Sequence, residues 1–245
     1  MASGPNEQAA FYSVRLPLTT MPQTTRIIHQ NFLDDDIEPI SVRTVHEGKL
    51  TQEHLQPFID DFPRPIGIAP AYSESGSRLV VLAIANQTNV LLVELYSSKP
   101  SRATIKPRDT TGRTLLQNEI FCRPFGDIFA FDFGPIALSL YNDLGGLRLV
   151  NGVDIQSACL PKNRQPLASI KQAVGDSATI YEINVCDSFE NMTYDPKRTT
   201  AIALRAWIAQ YLPRLDVMEE TFANAKRIDT AKLPNLVSSL VDLDY

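Results

Sequence analysis

The carboxylates that follow the predicted strands are the side chains best suited to metal chemistry. Asp132 follows a buried strand at 128–131, Asp154 ends the next strand, and Glu74 lies just past an earlier one. Carboxylate oxygens are the ligands that Mg²⁺ prefers, and two metals held by several carboxylates can hydrolyse a phosphodiester. These three acids lie at different phases and on different loops, so their spacing does not predict one shared metal site.

Other catalytic arrangements find less support in the sequence. The histidines, His29, His46 and His54, all precede the predicted sheet, and no serine or cysteine lies in a GxSxG pattern. The pair Gly145-Gly146 follows a helix rather than a strand, which argues against a phosphate-binding loop. We therefore expect no cofactor.

Length and composition predict one large domain with an ample core. The chain has 245 residues, of which 44% are hydrophobic and 21% charged. No apolar run reaches the roughly 18 residues that span a bilayer, and no signal peptide is recognisable. The three cysteines have no CxxC spacing, which suits a reducing compartment. We expect an intracellular protein, nuclear or cytoplasmic, with no membrane partner.

The net charge of −5 argues against a broad nucleic-acid interface, because neutralising phosphates requires clustered cations. The segment 99–108 is the exception, since it holds four cations and no acid. A solvated loop and a phosphate-contacting loop are both compatible with it, and the second predicts weak binding of RNA or DNA. Its candidate contacts are Lys99, Arg102, Lys106 and Arg108.

Apolar periodicity predicts a mixed α/β sheet in the order β-β-β-α-β-α-β-α. The first three strands are joined by short turns and should form an antiparallel meander. Near-continuous apolar residues indicate that helices cover both faces of the sheet. The predicted strands are 66–72, 78–85, 90–96, 128–131 and 147–153; the predicted helices between them are 112–121 and 136–144.

Four segments resemble the DEDD family of 3′–5′ exonucleases, in the family's order. Ile66–Tyr72 resembles its first strand and Phe129–Pro135 its second motif; Leu149–Ala158 resembles the next strand and Thr199–Leu212 the last helix. The resemblance covers about residues 65–212. It implies a ribonuclease H-like α/β fold, with an antiparallel three-stranded meander, further parallel strands and flanking helices.

The resemblance also implies that most of the metal-binding carboxylates are missing. Asp132 matches the aspartate of the second motif, but Ala69 and Ala71 stand at the Asp-x-Glu pair of the first strand. A single carboxylate cannot hold two metals. We expect Asp132 to act as the N-cap of the following helix instead.

The last helix departs from the family pattern in the same way. Its general-base position falls on Thr199 or Thr200, depending on the register, and its terminal aspartate on Ala203 or Leu204. Neither register restores an acid. The sequence therefore predicts a catalytically inactive chain without a metal site.

The segment after Pro213 extends beyond the family's minimal domain, and its apolar spacing predicts amphipathic helices. Their apolar faces either pack on the domain or bind a protein partner or a second copy of the chain. The candidate partner contacts are Met218, Phe222, Leu233, Leu236 and Leu240.

We interpret the chain as an inactive exonuclease-like domain that serves as a protein-interaction scaffold or adaptor in an RNA or nucleic-acid pathway. The alternatives are a non-cleaving RNA- or DNA-binding module that uses the former substrate groove, and a weakly active metal-dependent exonuclease. The predicted parts are a flexible arm at 1–25, an N-terminal extension at 26–64, the exonuclease-like domain at 65–212 and a C-terminal helical extension at 213–245.

Overall fold

One eight-stranded mixed sheet organises the molecule. The computed structural model describes residues 25–61, 63–76, 78–95, 111–144, 146–159 and 164–231. The strands are β1 (Thr25–Ile28), β2 (Ile40–His46), β3 (Ile66–Tyr72), β4 (Leu79–Ala85), β5 (Asn89–Glu94), β6 (Ile128–Ala130), β7 (Gly152–Asp154) and β8 (Arg227–Ile228). Their order across the sheet is β1-β2-β5-β4-β3-β6-β7-β8.

The centre of the sheet has the predicted ribonuclease H-like arrangement. Strands β3, β4 and β5 pair antiparallel as a meander, and β6 and β7 then continue from β3 in parallel. The fold class predicted from the sequence is confirmed by this order and these directions.

Both extensions contribute strands to the same sheet. Strand β2 pairs in parallel with β5 and carries β1 on its outer side. At the opposite edge, β8 pairs antiparallel with β7. The predicted segments 26–64 and 213–245 therefore each supply part of this one sheet. Of the predicted arm at 1–25, residues 1–24 lie outside the described residues.

Helices cover both faces of the sheet. They are α1 (Gln52–Ile59), α2 (Thr111–Leu115), which continues as a π-helix at Leu116–Phe121, α3 (Phe133–Asp143), α4 (Ile155–Cys159), α5 (Pro166–Val174), α6 (Glu182–Glu190), α7 (Thr199–Tyr211) and α8 (Glu219–Ala223). In the described parts of the chain, no helix is both long and apolar enough to cross a membrane.

The sheet separates two apolar cores. Helix α7 lies in the first, where its residues pack with the side of β3 that carries Ala69 and Ala71. The second core contains Ile66 and Ile68 on the opposite side of β3, with residues of α1, α3 and the π-helix. Helix α7 is buried at ten of its 13 positions, as expected for a helix enclosed on nearly all sides.

A buried ion pair connects the first helices to the sheet. Arg113 in α2 donates from Nε to Glu47 Oε2 at 2.7 Å and from Nη2 to Glu47 Oε1 at 2.9 Å. Both residues are buried. In this bidentate geometry each charge neutralises the other in a place that water does not reach.

Met218 and Phe222 lie in the first core and not on an exposed partner surface, so assigning them to such a surface is wrong. Both are buried, and the Phe222 ring lies edge-on to Phe129 with centroids 5.2 Å apart. Their helical spacing predicted one apolar face. In the structure this face packs against the sheet of the same chain. Leu233, Leu236 and Leu240 lie outside the described residues.

Candidate functional site

The positions on β3 and α7 that correspond to the family's carboxylates are buried in one core. Ala69 and Ala71 on β3 and Ala203 and Leu204 on α7 all belong to the same buried core. Both possible registers of α7 therefore place a buried apolar side chain at the position of the family's last aspartate. The methyl and isobutyl groups at these positions have no atom that can bind a metal.

Helix α7 lies directly on β3 at this point. An added Cβ at Gly67 would lie 2.0 Å from the carbonyl oxygen of Ala206 and 2.6 Å from the amide nitrogen of Gln210. Both of these are backbone atoms of α7. Only glycine permits this approach, which leaves no layer of solvent between helix and strand there.

A buried cation occupies the space beside the two alanines. Arg205 in α7 is 2% exposed, and its Nη2 donates to the carbonyl of Pro70, between Ala69 and Ala71, at 3.2 Å. Its Nη1 donates to the carbonyl of Asn191 at 3.1 Å. Burial lowers the pKa of Arg205 to about 10, so the side chain is still charged at neutral pH. A fixed positive charge here repels any metal cation that approaches.

The segment between α6 and α7 covers the carboxyl end of β3. The amide of Tyr72 donates to the Met192 carbonyl, and the amide of Tyr194 donates to the Tyr72 carbonyl, each at 2.7 Å. The Tyr194 hydroxyl donates to Glu94 Oε1 at 2.8 Å. Burial, with the Glu94 hydrogen bond, raises the pKa of Tyr194 to about 12. Two strands of the meander thus hold this segment in place.

Asp132 remains at the carboxyl end of β6, where the resemblance places it, but it is not a hydrogen-bonding cap. It is exposed and has a left-handed backbone, with φ 51° and ψ 56°. An N-cap that holds the first amides of a helix usually has extended backbone, and the Asp132 carboxylate makes no capping bond. The predicted capping role is therefore wrong. The left-handed turn also starts α3 at Phe133, ahead of the predicted start at 136.

The two threonines at the general-base position have separate surroundings. Thr199 is buried, and its hydroxyl accepts a hydrogen bond from Arg26 in β1. Thr200 lines a cleft of about 240 Å³ together with Asn184 and Asn191. The neighbours of both threonines named here lie outside the β3–β6 region.

These residues do not fit a two-metal site of the kind that the resemblance implies. Such a site requires several converging oxygen ligands. Within the described residues, no group of three or more histidine, cysteine, aspartate or glutamate side chains could hold a metal ion. The cations Lys99, Arg102, Lys106 and Arg108 lie outside the described residues.

Three adjoining clefts form a groove along the carboxyl ends of β6 and β7. The first, between α5 and α6, has a volume of about 380 Å³ and shares Pro166 and Phe189 with a second cleft of about 280 Å³. The second shares Asp132 and Arg164 with a third cleft of about 870 Å³ beside α4 and α8. We call the three together the Asp132 groove.

The sequence did not reveal the Asp132 groove, because its walls come from segments distant in the chain. The only local signal is the pair of carboxylates Asp187 and Glu190, which lie one helical turn apart beside the apolar residues Val185 and Phe189.

Comparison with known proteins gives similarity at the level of the fold. No protein-family model matches the chain, and no curated protein matches it. Among solved structures, the Nibbler EXO domain of Aedes aegypti is 12% identical with a TM-score of 0.48; the match covers 70% of this chain and 86% of that one.

Two further solved structures are similar to part of the chain. RNase D of Escherichia coli, an exoribonuclease involved in structured RNA processing, is 13% identical with a TM-score of 0.47, and the match covers 69% of this chain and 42% of that one. The EXD2 exonuclease domain is 21% identical with a TM-score of 0.34, and the coverage is 70% and 86%. The fold class rests on the sheet itself, whose strand order and directions are ribonuclease H-like.

Proposed function

We propose that this protein is a non-catalytic exonuclease-like domain that acts as a protein-interaction module. The observation that carries the proposal is the sealed face of β3. Ala69 and Ala71 lie under α7 in a dry core, and the buried guanidinium of Arg205 bonds to the strand between them. Phosphodiester hydrolysis by this fold requires metals where these groups lie.

Asp132 alone does not restore the chemistry. Its carboxylate is exposed at the surface of the groove, while the positions of its former partners are apolar and buried. A metal bound by one carboxylate and water is held weakly and is not positioned against a second metal.

The charge of the groove supports a protein partner rather than a nucleic acid. Its described lining has five carboxylates, Asp132, Asp154, Asp187, Glu190 and Glu220, and two cations, Arg164 and Lys226. An excess of negative charge opposes the approach of a phosphate backbone. This favours the interaction module over a non-cleaving RNA- or DNA-binding module.

An exonuclease assay tests the proposal. The purified chain is incubated with Mg²⁺ or Mn²⁺ and 5′-labelled single-stranded and duplex RNA and DNA, beside an active exonuclease as positive control. We expect every substrate to keep its full length. Progressive shortening from the 3′ end that the Asp132→Asn variant abolishes would contradict the proposal.

The interaction role is tested by purifying the tagged chain from its own cells, with and without ribonuclease treatment. We expect a protein partner in stoichiometric amount that is retained after ribonuclease treatment. Recovery of RNA-dependent partners alone would favour the nucleic-acid alternative.

A further inference from the structure

The α5–α6 end of the Asp132 groove has an apolar floor. Leu167 on α5 and Val185 and Phe189 on α6 line it, and the Phe189 ring packs edge-on against Phe131 with centroids 4.7 Å apart. Its volume of about 380 Å³ lies in the range of natural ligand pockets. This end is therefore large enough to seat one bulky apolar side chain.

The exposed face of α6 extends that apolar surface. Ile183 is 76% exposed, and Cys186, one turn further along, is exposed as well. Residues three apart on a helix are neighbours, and of these two Cys186 lines the cleft. Exposed apolar groups beside an apolar cleft are typical of a protein contact.

Negative charge borders the apolar floor, and in the rest of the groove three carboxylates face two cations, Arg164 and Lys226. Asp187 and Glu190 are exposed at the α5–α6 cleft, whose described lining contains no cation. Further along, Asp154 accepts a hydrogen bond from the Ser157 hydroxyl through Oδ2 at 2.5 Å. Its Oδ1 is buried without a partner among the described residues.

We propose that the Asp132 groove binds an extended peptide segment of a partner protein, with one large apolar side chain in the α5–α6 cleft and flanking lysine or arginine residues. The peptide's cations face Asp187, Glu190 and Asp132. This inference rests on the proposed interaction function and names the chemistry of the partner.

Selection from a phage-displayed library of random peptides, with the full chain as bait, tests the peptide proposal. We expect enriched sequences in which a leucine, phenylalanine or tryptophan is flanked by lysine or arginine. One enriched peptide is then synthesised with a fluorophore, and its affinity is measured by fluorescence anisotropy. Its affinity should fall as salt rises, because the contacts are partly ionic.

Two kinds of variant locate the site. The double variant Asp187→Lys/Glu190→Lys changes exposed side chains and should weaken binding by about tenfold or more. Cys186→Trp fills the rim without changing charge and should also weaken it. The matched control, Glu38→Lys/Glu53→Lys, makes the same change in net charge at exposed sites outside the groove and should bind as the natural chain does.

Three outcomes would overturn the peptide proposal: no enriched consensus, equal loss of affinity in the groove variant and the control, or tighter binding of a single-stranded RNA of matched length. None of them requires hydrolysis, so this proposal can fail while the non-catalytic assignment stands. Conversely, 3′ shortening of RNA refutes the non-catalytic assignment whether or not a peptide binds.

Discussion

Replacing Gly67 by alanine tests whether α7 seals the face of β3. The added Cβ would lie 2.0 Å from the Ala206 carbonyl oxygen, well inside van der Waals contact, so α7 must retreat by about 1 Å. That movement disturbs a helix with ten buried residues. Overpacking of a rigid core costs about 1–3 kcal/mol, and more where backbone atoms collide. We expect a loss of about 3 kcal/mol.

Urea unfolding followed by circular dichroism measures this loss. With a slope of about 3 kcal/mol per M, the unfolding midpoint of Gly67→Ala should fall by about 1 M. Gly134→Ala, in the first turn of α3, is the matched control, because the added Cβ has no neighbour within 4 Å apart from the adjoining residues and the backbone of its own helix. Alanine should leave stability unchanged or raise it by about 0.5–1 kcal/mol. Equal midpoints for the two variants would refute the sealed packing of α7.

Three further predictions concern buried polar groups. Glu47→Ala leaves the buried Arg113 guanidinium without its counter-charge. The free energy of unfolding, measured by thermal denaturation, should fall by about 3–5 kcal/mol. A fall of less than about 1 kcal/mol would contradict the burial of the pair. The pKa of Tyr194 is raised to about 12, so its contribution to stability is complete below its unfolded pKa of about 10 and is lost as the pH rises towards 12. Tyr194→Phe should flatten that decline in unfolding midpoints measured against pH, and parallel slopes would contradict this. Burial, with nearby Asp154, raises the pKa of the Cys159 thiol to about 12. Mass spectrometry should therefore find Cys159 unmodified after the native chain is treated with iodoacetamide at neutral pH. Labelling as fast as that of exposed Cys186 would contradict its burial.

The central sheet was predictable because its strands are long and apolar. Three near-continuous apolar segments separated by short turns predicted the antiparallel meander. The observed strands β3, β4 and β5 agree with the predicted ones to within two residues at each end. The order of elements then implied the parallel strands that follow. Strand β8 was not predictable, since a two-residue strand has no period of its own.

The sequence could name the positions to compare with the family, but it could not predict which side chains surround them. Alignment to the family placed Ala69, Ala71, Ala203 and Leu204 at the missing ligands, and all four lie in one core. Nothing in the sequence distinguished Arg205 from a surface arginine on α7. Its burial follows from the enclosure of α7 on nearly all sides, which is a property of the tertiary structure.

The left-handed turn at Asp132 explains two local errors. The sequence predicted an N-cap carboxylate and a helix start at 136, but a residue with φ 51° turns the chain sharply and begins α3 at Phe133. Aspartate tolerates this conformation better than most residues, yet its presence does not predict it. Periodicity similarly showed that Met218 and Phe222 share a face, but not that the face packs on its own sheet.

Direct measurement of Mn²⁺ binding tests the central claim, that the carboxylate positions of the exonuclease fold hold no metals in this chain. Free Mn²⁺ is quantified by electron paramagnetic resonance as the protein is titrated with the ion, beside an active exonuclease of the same fold. We expect the free Mn²⁺ signal to match that of buffer through the range in which the active enzyme saturates. Saturable uptake of two ions per chain, lost in the Asp132→Asn variant, would contradict the claim.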